Sequence, residues 1–274
     1  MSSAIITLTT DFGISDSYVA QMKGVILGIN PGAIIVDISH QIEPHNIREA
    51  AYILSTVQSS FPKGTIHVAV VDPGVGTKRR AIILRTPHAD LIAPDNGILS
   101  YIFQQVTAKS VKHPQIISES NIEAVAINNP KYFRSPVSNT FHGRDIFAPV
   151  AAQLSLGTPL ISFCKSITTI EILPVQALFL SPDGSITGEI MHIDRFGNLI
   201  SNIKEEDLPL RNNLIIEIGK KKISGLSRTY AYGDKLLAII NSNGYLEISL
   251  KEGNASSYLH IGVGGEVQVK PGPK

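Results

Sequence analysis

The sequence predicts a layered α/β domain followed by a small antiparallel β-barrel or sandwich. Before residue 156, nearly continuous apolar runs alternate with segments whose apolar residues recur at helical spacing, which is typical of parallel strands covered by helices. After residue 176, segments that alternate apolar and polar residues are separated by turn-forming residues, as in antiparallel folds. We expect an α/β domain with a mostly parallel sheet at residues 1–165 and a β-barrel domain at residues 176–274.

Each element of the first domain follows from its residue pattern. The runs predicted to be its buried strands are AIITLTT, AIIVDIS, TIHVAVV and AIILRT, because their apolar residues are nearly continuous, as parallel strands require. Helical spacing predicts helices over SYVAQMKGVILGI, which ends near Asn30-Pro31-Gly32, and over NIREAAYILSTVQ. We expect a long excursion between residues 106 and 138, and then an apolar helical run after His142.

The second domain is predicted to consist of strands alone. The segments with period-two alternation are SITGEIMHID, NLISNIK, NLIIEIG, KLLAIIN, YLEISL and EVQVKPG. Turn-formers such as Phe-Gly-Asn and Asn-Ser-Asn-Gly separate them, and the pattern favours no helix between them.

Composition narrows the function classes. A net charge of +1 and a pI of about 7.9 give no broad electrostatic surface for nucleic acid or anionic lipid. No apolar stretch is long enough to span a bilayer, and the amino terminus is typical of a first strand rather than a signal peptide. The single cysteine, Cys164, excludes an internal disulfide framework and favours a reducing compartment. We therefore expect a cytoplasmic protein without nucleic-acid or membrane partners.

Several aspartates stand where a predicted strand ends. In open α/β sheets, ligands bind beyond the carboxyl ends of the strands, and a group of carboxylates there favours a cationic or hydroxyl-rich ligand. Each residue alone has a structural alternative, because aspartate also caps helices and shapes turns. The residues concerned are Asp11, Asp37, Asp72 and Asp95.

Two further stretches carry candidate chemistry. VVDPGVGTKRR contains Asp72 and Arg79, but it lacks the ending of a phosphate-binding P-loop and the spacing of a dinucleotide fingerprint. In NTFHGRDIFAPVAAQL, Arg144 and Asp145 are predicted to serve the first turn of a helix. His142 lies just outside that helix, where a neutral imidazole can act as a general base.

Ordered motifs along essentially the whole chain resemble the S-adenosyl-L-methionine hydroxide adenosyltransferases, relatives of the bacterial fluorinase and chlorinase. They are TTDFG-x-x-D-x-Y-V-A-x-M-K-G, VVDPGVGT-x-RR, APDNG, TFHGRDIFAPVAA, ID-x-FGN-L-x-SNI, INS-x-GYLEI and GNAS. The resemblance implies an α/β domain, a β-barrel domain and a homotrimer, with each active site between the first domain of one subunit and the second domain of its neighbour. It also implies that S-adenosylmethionine is cleaved at C5′ to adenosine and L-methionine, without a metal or organic cofactor.

The same resemblance assigns residue roles. Asp72, Arg79 and His142 match a catalytic triad that holds a nucleophilic water. Asp11 matches the acid that binds the ribose hydroxyls.

The remaining substrate contacts implied by the resemblance belong to the second domain. Asp194 and Ser242 match positions at the methionine end, where a carboxylate suits the ammonium group. Asn198 matches a position at the adenine edge, and Phe196 and Tyr230 match aromatic positions beside the adenine.

Differences from the halogenases favour hydroxide over halide. In those relatives the positions of Asp72 and His142 carry tyrosine and that of Val75 carries threonine. A halide site needs no base, whereas this chain has an acid and a histidine at two of these positions. Two alternatives stay open: a metal-dependent hydrolase, and a trimer that binds an adenosine compound without catalysis. The residues available to the metal-dependent alternative are Asp11, Asp37, Asp72 and His40.

Overall fold

The computed structural model describes residues 4–107, 115–116, 121–163, 165–174, 177–209, 213–232 and 235–272. The chain divides into two compact units, a first unit of residues 1–174 and a second unit of residues 175–274. Cys164 lies outside the described residues. Within the described ranges, no helix combines the length and apolar character needed to cross a membrane.

The first unit is an α/β structure. Its strands are β1 Ile5–Thr10, β2 Ile34–Ser39, β3 Thr65–Val70, β4 Ala81–Arg85, β5 Ala89–Pro94, β6 Gln115–Ile116, β7 Glu123–Ala126 and β8 Thr169–Ile170. Its α-helices are α1 Tyr18–Ile29, α2 Ile47–Val57, α3 Ser100–Thr107 and α4 Ala148–Ser155. A π-helical turn spans Gly143–Phe147, and 3-10 turns span Gln58–Ser60, Pro130–Tyr132 and Leu160–Ser162. The helices predicted over residues 17–29 and 46–58 are confirmed.

The main sheet has the strand order β2-β1-β3-β5-β4-β7. Strands β2, β1, β3 and β5 are parallel to one another, which confirms the predicted α/β class. The AIILRT strand was predicted to be parallel, and this prediction is wrong: β4 pairs antiparallel with β5 and with β7. The reason is the short connection between β4 and β5, because a parallel pair needs a crossover of a dozen or more residues. β7 falls within the excursion expected at residues 106–138, of which residues 108–114 and 117–120 lie outside the description.

Both faces of the sheet are buried, as the nearly continuous apolar runs predict. Alternate residues of the strand β3 and its extension serve different cores. Val68 and Val70 pack with α1 and α4, and Ala69 and Val71 pack with α2 and α3. This two-sided packing fixes the ends of β1 and β3 side by side, with Thr10 opposite Val70. The loops that leave these two strands therefore start next to each other.

The second unit is a nearly closed antiparallel barrel. Its strands are β9 Phe179–Leu180, β10 Ile186–Ile193, β11 Leu199–Lys204, β12 Leu214–Ile218, β13 Lys221–Ser224, β14 Leu236–Ile240, β15 Tyr245–Leu250 and β16 Glu266–Pro271. They follow the order β13-β12-β16-β10-β11-β15-β14, with β9 beside β10. The predicted barrel strands are confirmed. The expectation of no helix is wrong: α5 covers Ala255–Leu259, where the Asn254 side chain accepts a hydrogen bond from the backbone N–H of Ser257 and so caps the first turn.

Candidate active site

The loop after β3 brings an acidic and a basic residue into direct contact. Asp72 follows the last residues of the strand, and Arg79 stands just before β4. Two tight turns, closed by Val75 N–H to Asp72 O at 3.1 Å and Thr77 N–H to Gly74 O at 3.1 Å, fold the loop back on itself. The Arg79 Nε donates to Asp72 Oδ1 at 2.8 Å and Oδ2 at 2.9 Å, and its Nη2 also donates to Oδ2. The guanidinium fork therefore offsets the charge of a carboxylate whose side chain is only 5% exposed.

His142 joins this pair from a separate segment. The Arg79 Nη2 lies 2.8 Å from the His142 Nδ1. Because a guanidinium can only donate, the Nδ1 atom must accept, and the neutral imidazole then carries its proton on Nε2. Burial and the neighbouring Arg79 charge lower the pKa of His142 below its usual value, although the charges of Asp72 and Asp145 oppose this. The cluster at neutral pH is thus a carboxylate, a guanidinium and a neutral imidazole.

Backbone packing holds the two segments together. Gly76 has a φ of +77°, a conformation that favours glycine, and the Cβ of an alanine there would lie 2.3 Å from the carbonyl oxygen of Asn139. The absence of a side chain at residue 76 therefore lets the loop that carries Arg79 rest on the segment that leads to His142.

The segment around His142 is braced from within the first unit. Asp145 is fully buried in the π-helical turn that starts at Gly143, and such turns are frequent at functional sites. Its carboxylate accepts from the backbone N–H of Ser138 at 2.9 Å and from Arg144 Nε at 2.7 Å. Arg144 also donates to the Gln21 side chain of α1 at 2.9 Å. The sequence predicted a structural role at the start of a helix for both residues, and their contacts are of that kind.

A cavity of about 290 Å³ opens in front of the cluster. The residues lining it are Asp11, Phe12, Tyr18, Pro44, His45, Val70, Asp72, Val75, Thr140, Phe141, His142 and Gly143. The Asp11 carboxylate stands at the end of β1 and accepts from the backbone N–H of His45 at 2.9 Å. The structure thus brings Asp11, Asp72 and His142 to one space, with Arg79 in contact with the last two.

The other two aspartates that were predicted at strand ends have different partners. For Asp37 the prediction is wrong, because the residue lies inside β2 and pairs with Leu8 of β1. Asp37 lies 2.6 Å from Lys23 Nζ and 3.0 Å from the His40 Nε2. Asp95 accepts from Arg80 Nε at 2.8 Å, and burial raises its pKa although this partner opposes the shift. Only half of the predicted acidic group therefore faces the cavity.

Among the residues that the structure describes, no three His, Cys, Asp or Glu side chains are grouped so that they could hold a metal ion. The His40 Nδ1 lies 2.8 Å from the hydroxyl of Thr10.

The second unit has a cavity of its own, of about 760 Å³. The residues lining it are Asp194, Phe196, Asn198, Tyr230, Ala231, Leu250, Lys251, Glu252 and Gly253. Four residues predicted to contact the substrate are therefore brought together, and Phe196 is 76% exposed. Ser242, the fifth predicted residue of this domain, is exposed in the turn between β14 and β15 and does not line this cavity.

Local hydrogen bonds shape this second cavity. The Asp194 Oδ1 accepts from the backbone N–H groups of Phe196 and Asn198, both at 2.9 Å, and its Oδ2 accepts from the Asn198 side-chain amide at 2.9 Å. This network fixes the turn that presents the aromatic ring and the amide together.

Glu247, which contacts the cavity-lining Tyr230 but does not itself line the second cavity, was missed from the sequence. The Tyr230 hydroxyl donates to Glu247 Oε1 at 2.9 Å, and the Ser249 hydroxyl donates to the same oxygen at 2.7 Å. Burial and the neighbouring Glu247 raise the pKa of Tyr230 to about 12. Glu247 is 3% exposed, but in YLEISL it occupies a polar position of the alternation. The pattern indicates a solvent-facing glutamate, so no local signal identifies it.

Known proteins resemble this chain along nearly its whole length. The models of the SAM hydroxide adenosyltransferase N-terminal and C-terminal domains match residues 6–164 and 188–268. Proteins named (R)-S-adenosyl-L-methionine hydrolase from Methanocaldococcus jannaschii and Salinispora tropica are each 34% identical over 97% of this chain, and over 95% and 98% of their own lengths. The crystal structure of an uncharacterized conserved protein from Thermotoga maritima, 33% identical, superposes with a TM-score of 0.85 over 97% of this chain and 99% of that one. This chain therefore belongs to the SAM hydroxide adenosyltransferase family.

Proposed function

We propose that this protein hydrolyses S-adenosyl-L-methionine at C5′, giving adenosine and L-methionine. The observation that carries the proposal is the contact of Asp72, Arg79 and His142 beside the cavity that Asp11 also lines. Relatives a third identical over nearly the full chain carry the name of this activity. The cluster offers a site for a small oxygen nucleophile, which is what the reaction requires.

The chemistry needs little beyond that nucleophile. The sulfur of the substrate is a sulfonium, so methionine leaves as a neutral thioether and needs no protonation. The protein must hold the oxygen in line with the C5′–S bond, since orientation is a large part of the rate. We propose that no metal or organic cofactor takes part.

We infer that hydroxide is the bound nucleophile. Complete proton transfer from water to imidazole before attack would cost roughly 12 kcal/mol, because bulk water has a pKa near 15.7 and histidine one of about 6.5, and hydroxide taken from neutral bulk water costs about as much. Burial and Arg79 lower the pKa of His142, which raises the cost of the imidazole route above that of hydroxide. An imidazole whose Nδ1 accepts from Arg79 has an Nε2–H to offer, which suits it to donate to an anion.

The charges of the cluster support this assignment. Asp72 would repel an anion, but the Arg79 fork offsets its charge. We propose that hydroxide accepts from the His142 Nε2–H and donates its own hydrogen to Asp72, leaving a lone pair for C5′. The oxygen forms the C5′–O bond as the C5′–S bond breaks, and the bonding pair stays on sulfur. Attraction between charges about 4 Å apart rises from roughly 1 to roughly 4 kcal/mol when the effective dielectric falls from 80 to 20, so burial helps hold hydroxide near the sulfonium.

Substrate contacts are proposed for both units. Asp11 would accept hydrogen bonds from the ribose hydroxyls. In the second unit, Asn198 would pair with the adenine edge beside Phe196 and Tyr230, three residues that share one cavity. Asp194 and Ser242 would bind the methionine end. For Asp194 this is compatible with its turn contacts, since a carboxylate has about four lone-pair positions and three are engaged.

The assembly and the stereochemistry are further parts of the proposal. We propose a homotrimer in which residues 1–165 supply the nucleophile and residues 176–274 supply the adenine and methionine contacts. The sulfonium is a stereocentre, and the relatives are named for the (R) epimer, so we propose the same epimer as the substrate here. The single cysteine of the chain supports a cytoplasmic location.

The test is incubation of purified, chelator-treated protein with each S-adenosylmethionine epimer in oxygen-18 water, with and without chloride, followed by mass spectrometry. We expect free methionine and adenosine labelled at the 5′ oxygen. Activity that is lost with the chelator and restored by a metal would favour the metal-dependent hydrolase. Intact bound ligand after long incubation would favour the non-catalytic binding trimer, and a chlorinated nucleoside would favour halogenation.

A pair of variants tests the role of the imidazole. In His142→Gln the side-chain amide takes the place of the ring Nε2–H, so it can donate but cannot take up a proton. If donation matters, this variant keeps a kcat at least about tenfold above that of His142→Ala, as expected for one hydrogen-bond donor to an anion. Equal losses in the two variants would favour a general base instead.

A further inference from the structure

Asp95 and Asn96 of the APDNG motif fasten both ends of the loop that carries Asp72 and Arg79. The Asn96 side-chain amide donates to the carbonyl oxygen of Val71 at 2.9 Å. The backbone N–H of Asp95 donates to the carbonyl oxygen of Arg80 at 2.9 Å. Val71 immediately precedes Asp72, and Arg80 immediately follows Arg79. Two consecutive residues of another loop therefore hold the chain on either side of the catalytic pair.

The tie at Val71 takes over where the sheet stops. The pairing of β3 with β1 ends at Val70, and its pairing with β5 ends at Val68. Val71 is fully buried, so its carbonyl group needs a partner, and the Asn96 amide supplies one. The side chain of Val71 is held by its packing against α2 and α3, and this bond in addition fixes the peptide group that leads to Asp72.

The residues that form the ties are themselves anchored. The Asn96 Oδ1 accepts from the backbone N–H of Ile98 at 3.2 Å, so both ends of the amide are engaged. The Asp95 Oδ1 accepts from the backbone N–H of Glu171 at 2.8 Å. Gly97 has a φ of +98°, and a Cβ there would lie 2.8 Å from the Leu173 side chain. The residues that form the two ties are therefore held in place by contacts of their own.

We propose that Asn96 is a positioning residue for the hydrolytic reaction, acting through Val71 on Asp72 and, through the fork, on Arg79. This inference rests on the proposed function, because the geometry it protects is that of the nucleophile site. Displacement of a catalytic group by about 1 Å can lower a rate by about 10²-fold. Loss of the tie therefore lowers kcat, whereas KM stays close to that of the wild type.

The chain offers a matched control for this residue. The Asn129 side-chain amide donates to the carbonyl oxygen of Ser162 at 2.8 Å, and its Oδ1 accepts from the backbone N–H of Lys131 at 3.2 Å. Asn96 and Asn129 thus make the same two kinds of bond at similar lengths. Neither of these two bonds of Asn129 reaches the catalytic cluster, so a substitution at Asn129 measures only the loss of stability.

The experiment compares Asn96→Ser with Asn129→Ser. A serine can still accept from the backbone N–H two residues later, but it is too short to replace an amide that spans to a distant carbonyl. We expect Asn96→Ser to lower kcat at least about tenfold with KM within about twofold, and Asn129→Ser to leave both near the wild-type values. Both variants should lose a similar amount of thermal stability. Equal kcat values in the two variants would overturn the proposal.

A second variant and a second measurement guard against ambiguous outcomes. Asn96→Asp keeps the shape of the side chain and the acceptor of the turn but removes the amide donor. If Asn96→Ser fails to fold, Asn96→Asp takes its place in the comparison, and we expect it to lower kcat in the same way. Hydrogen exchange of the Arg79 Nε–H, followed by nitrogen-15 NMR, reports the fork directly. We expect faster exchange in the two Asn96 variants than in Asn129→Ser. Unchanged exchange would refute the positioning role, whether or not the wild type is active. An inactive wild type would instead refute the proposed function, so the two failures can be told apart.

Discussion

The imidazole of His67 should make the stability of the protein depend on pH. His67 is 0% exposed in β3, and burial lowers its pKa to about 4 from a usual value of 6.5. Its Nδ1 lies 2.8 Å from the Thr7 hydroxyl, while its Nε2 has no hydrogen-bond partner among the described residues. The Phe61 ring stands edge-on to the imidazole, with 5.6 Å between the ring centroids. A protonated imidazole needs a hydrogen-bond acceptor at each of its two nitrogens, and this site provides an acceptor only at Nδ1.

The sign and the size follow from proton linkage. Between about pH 6.5 and pH 4 the unfolded chain binds a proton at His67 that the folded chain does not, so the free energy of unfolding falls as the pH falls through this window. A folded pKa of about 4 corresponds to a loss of about 2 kcal/mol between pH 7 and pH 5, and about 3 kcal/mol by pH 4.

The assay is guanidinium unfolding followed by circular dichroism at pH 7 and pH 5, since the chain has no tryptophan. The wild type is compared with His67→Gln, which cannot titrate, and with His88→Gln at an exposed histidine. We expect the pH-dependent loss to shrink by about 2 kcal/mol in the first variant only. Equal losses in all three proteins, or an NMR titration of His67 near 6.5, would refute the reasoning.

Three further predictions concern activity and stability. Gly76→Ala should lower kcat at least about tenfold, because the added Cβ meets the Asn139 carbonyl 2.3 Å away; an unchanged kcat would show that this contact does not position the loop. Tyr230→Phe removes the phenol donor of the buried Glu247 carboxylate, so we expect the free energy of unfolding in guanidinium to fall by about 1 to 3 kcal/mol, and unchanged stability would contradict this. With hydroxide as the nucleophile, log kcat/KM should rise with pH at a slope of about one, because the hydroxide concentration rises tenfold per pH unit. Burial and Arg79 lower the pKa of His142 from 6.5, and protonation of its Nδ1 breaks the Arg79 contact. The slope should therefore steepen to about two below a break that lies under pH 6.5. A break above 6.5 would contradict that assignment.

Local patterns in the sequence predicted much of the fold. The runs around β1 and β3 are apolar on both faces, and this alone indicates strands covered by helices. β4 has the same composition but runs antiparallel, because the length of its connection to β5, not its side chains, sets its direction. The helical turn α5 was missed because its five residues are too few to show a helical period.

The candidate site was predictable in its residue types but not in its arrangement. Asp72 and Arg79 stand out beside a strand end, and His142 stands out in a glycine-containing loop. Asn96 and Glu247 belong to motifs of the family resemblance, but the local pattern gives them no role, since an asparagine in a turn and a glutamate in an alternating strand have ordinary local explanations. Their roles depend on partners 25 and 17 residues away, and such contacts leave no mark on periodicity.

By itself, the amino-acid sequence determined the two kinds of architecture, the order of most elements and the side chains able to do the chemistry, because hydrophobic periodicity and turn residues act locally along the chain. Only the tertiary structure decided which strand-end aspartates share a cavity, which nitrogen of His142 carries the proton and what holds Asp72 beside Arg79. Those properties depend on burial and on hydrogen bonds between distant segments, and both arise only once the two faces of the sheet have packed.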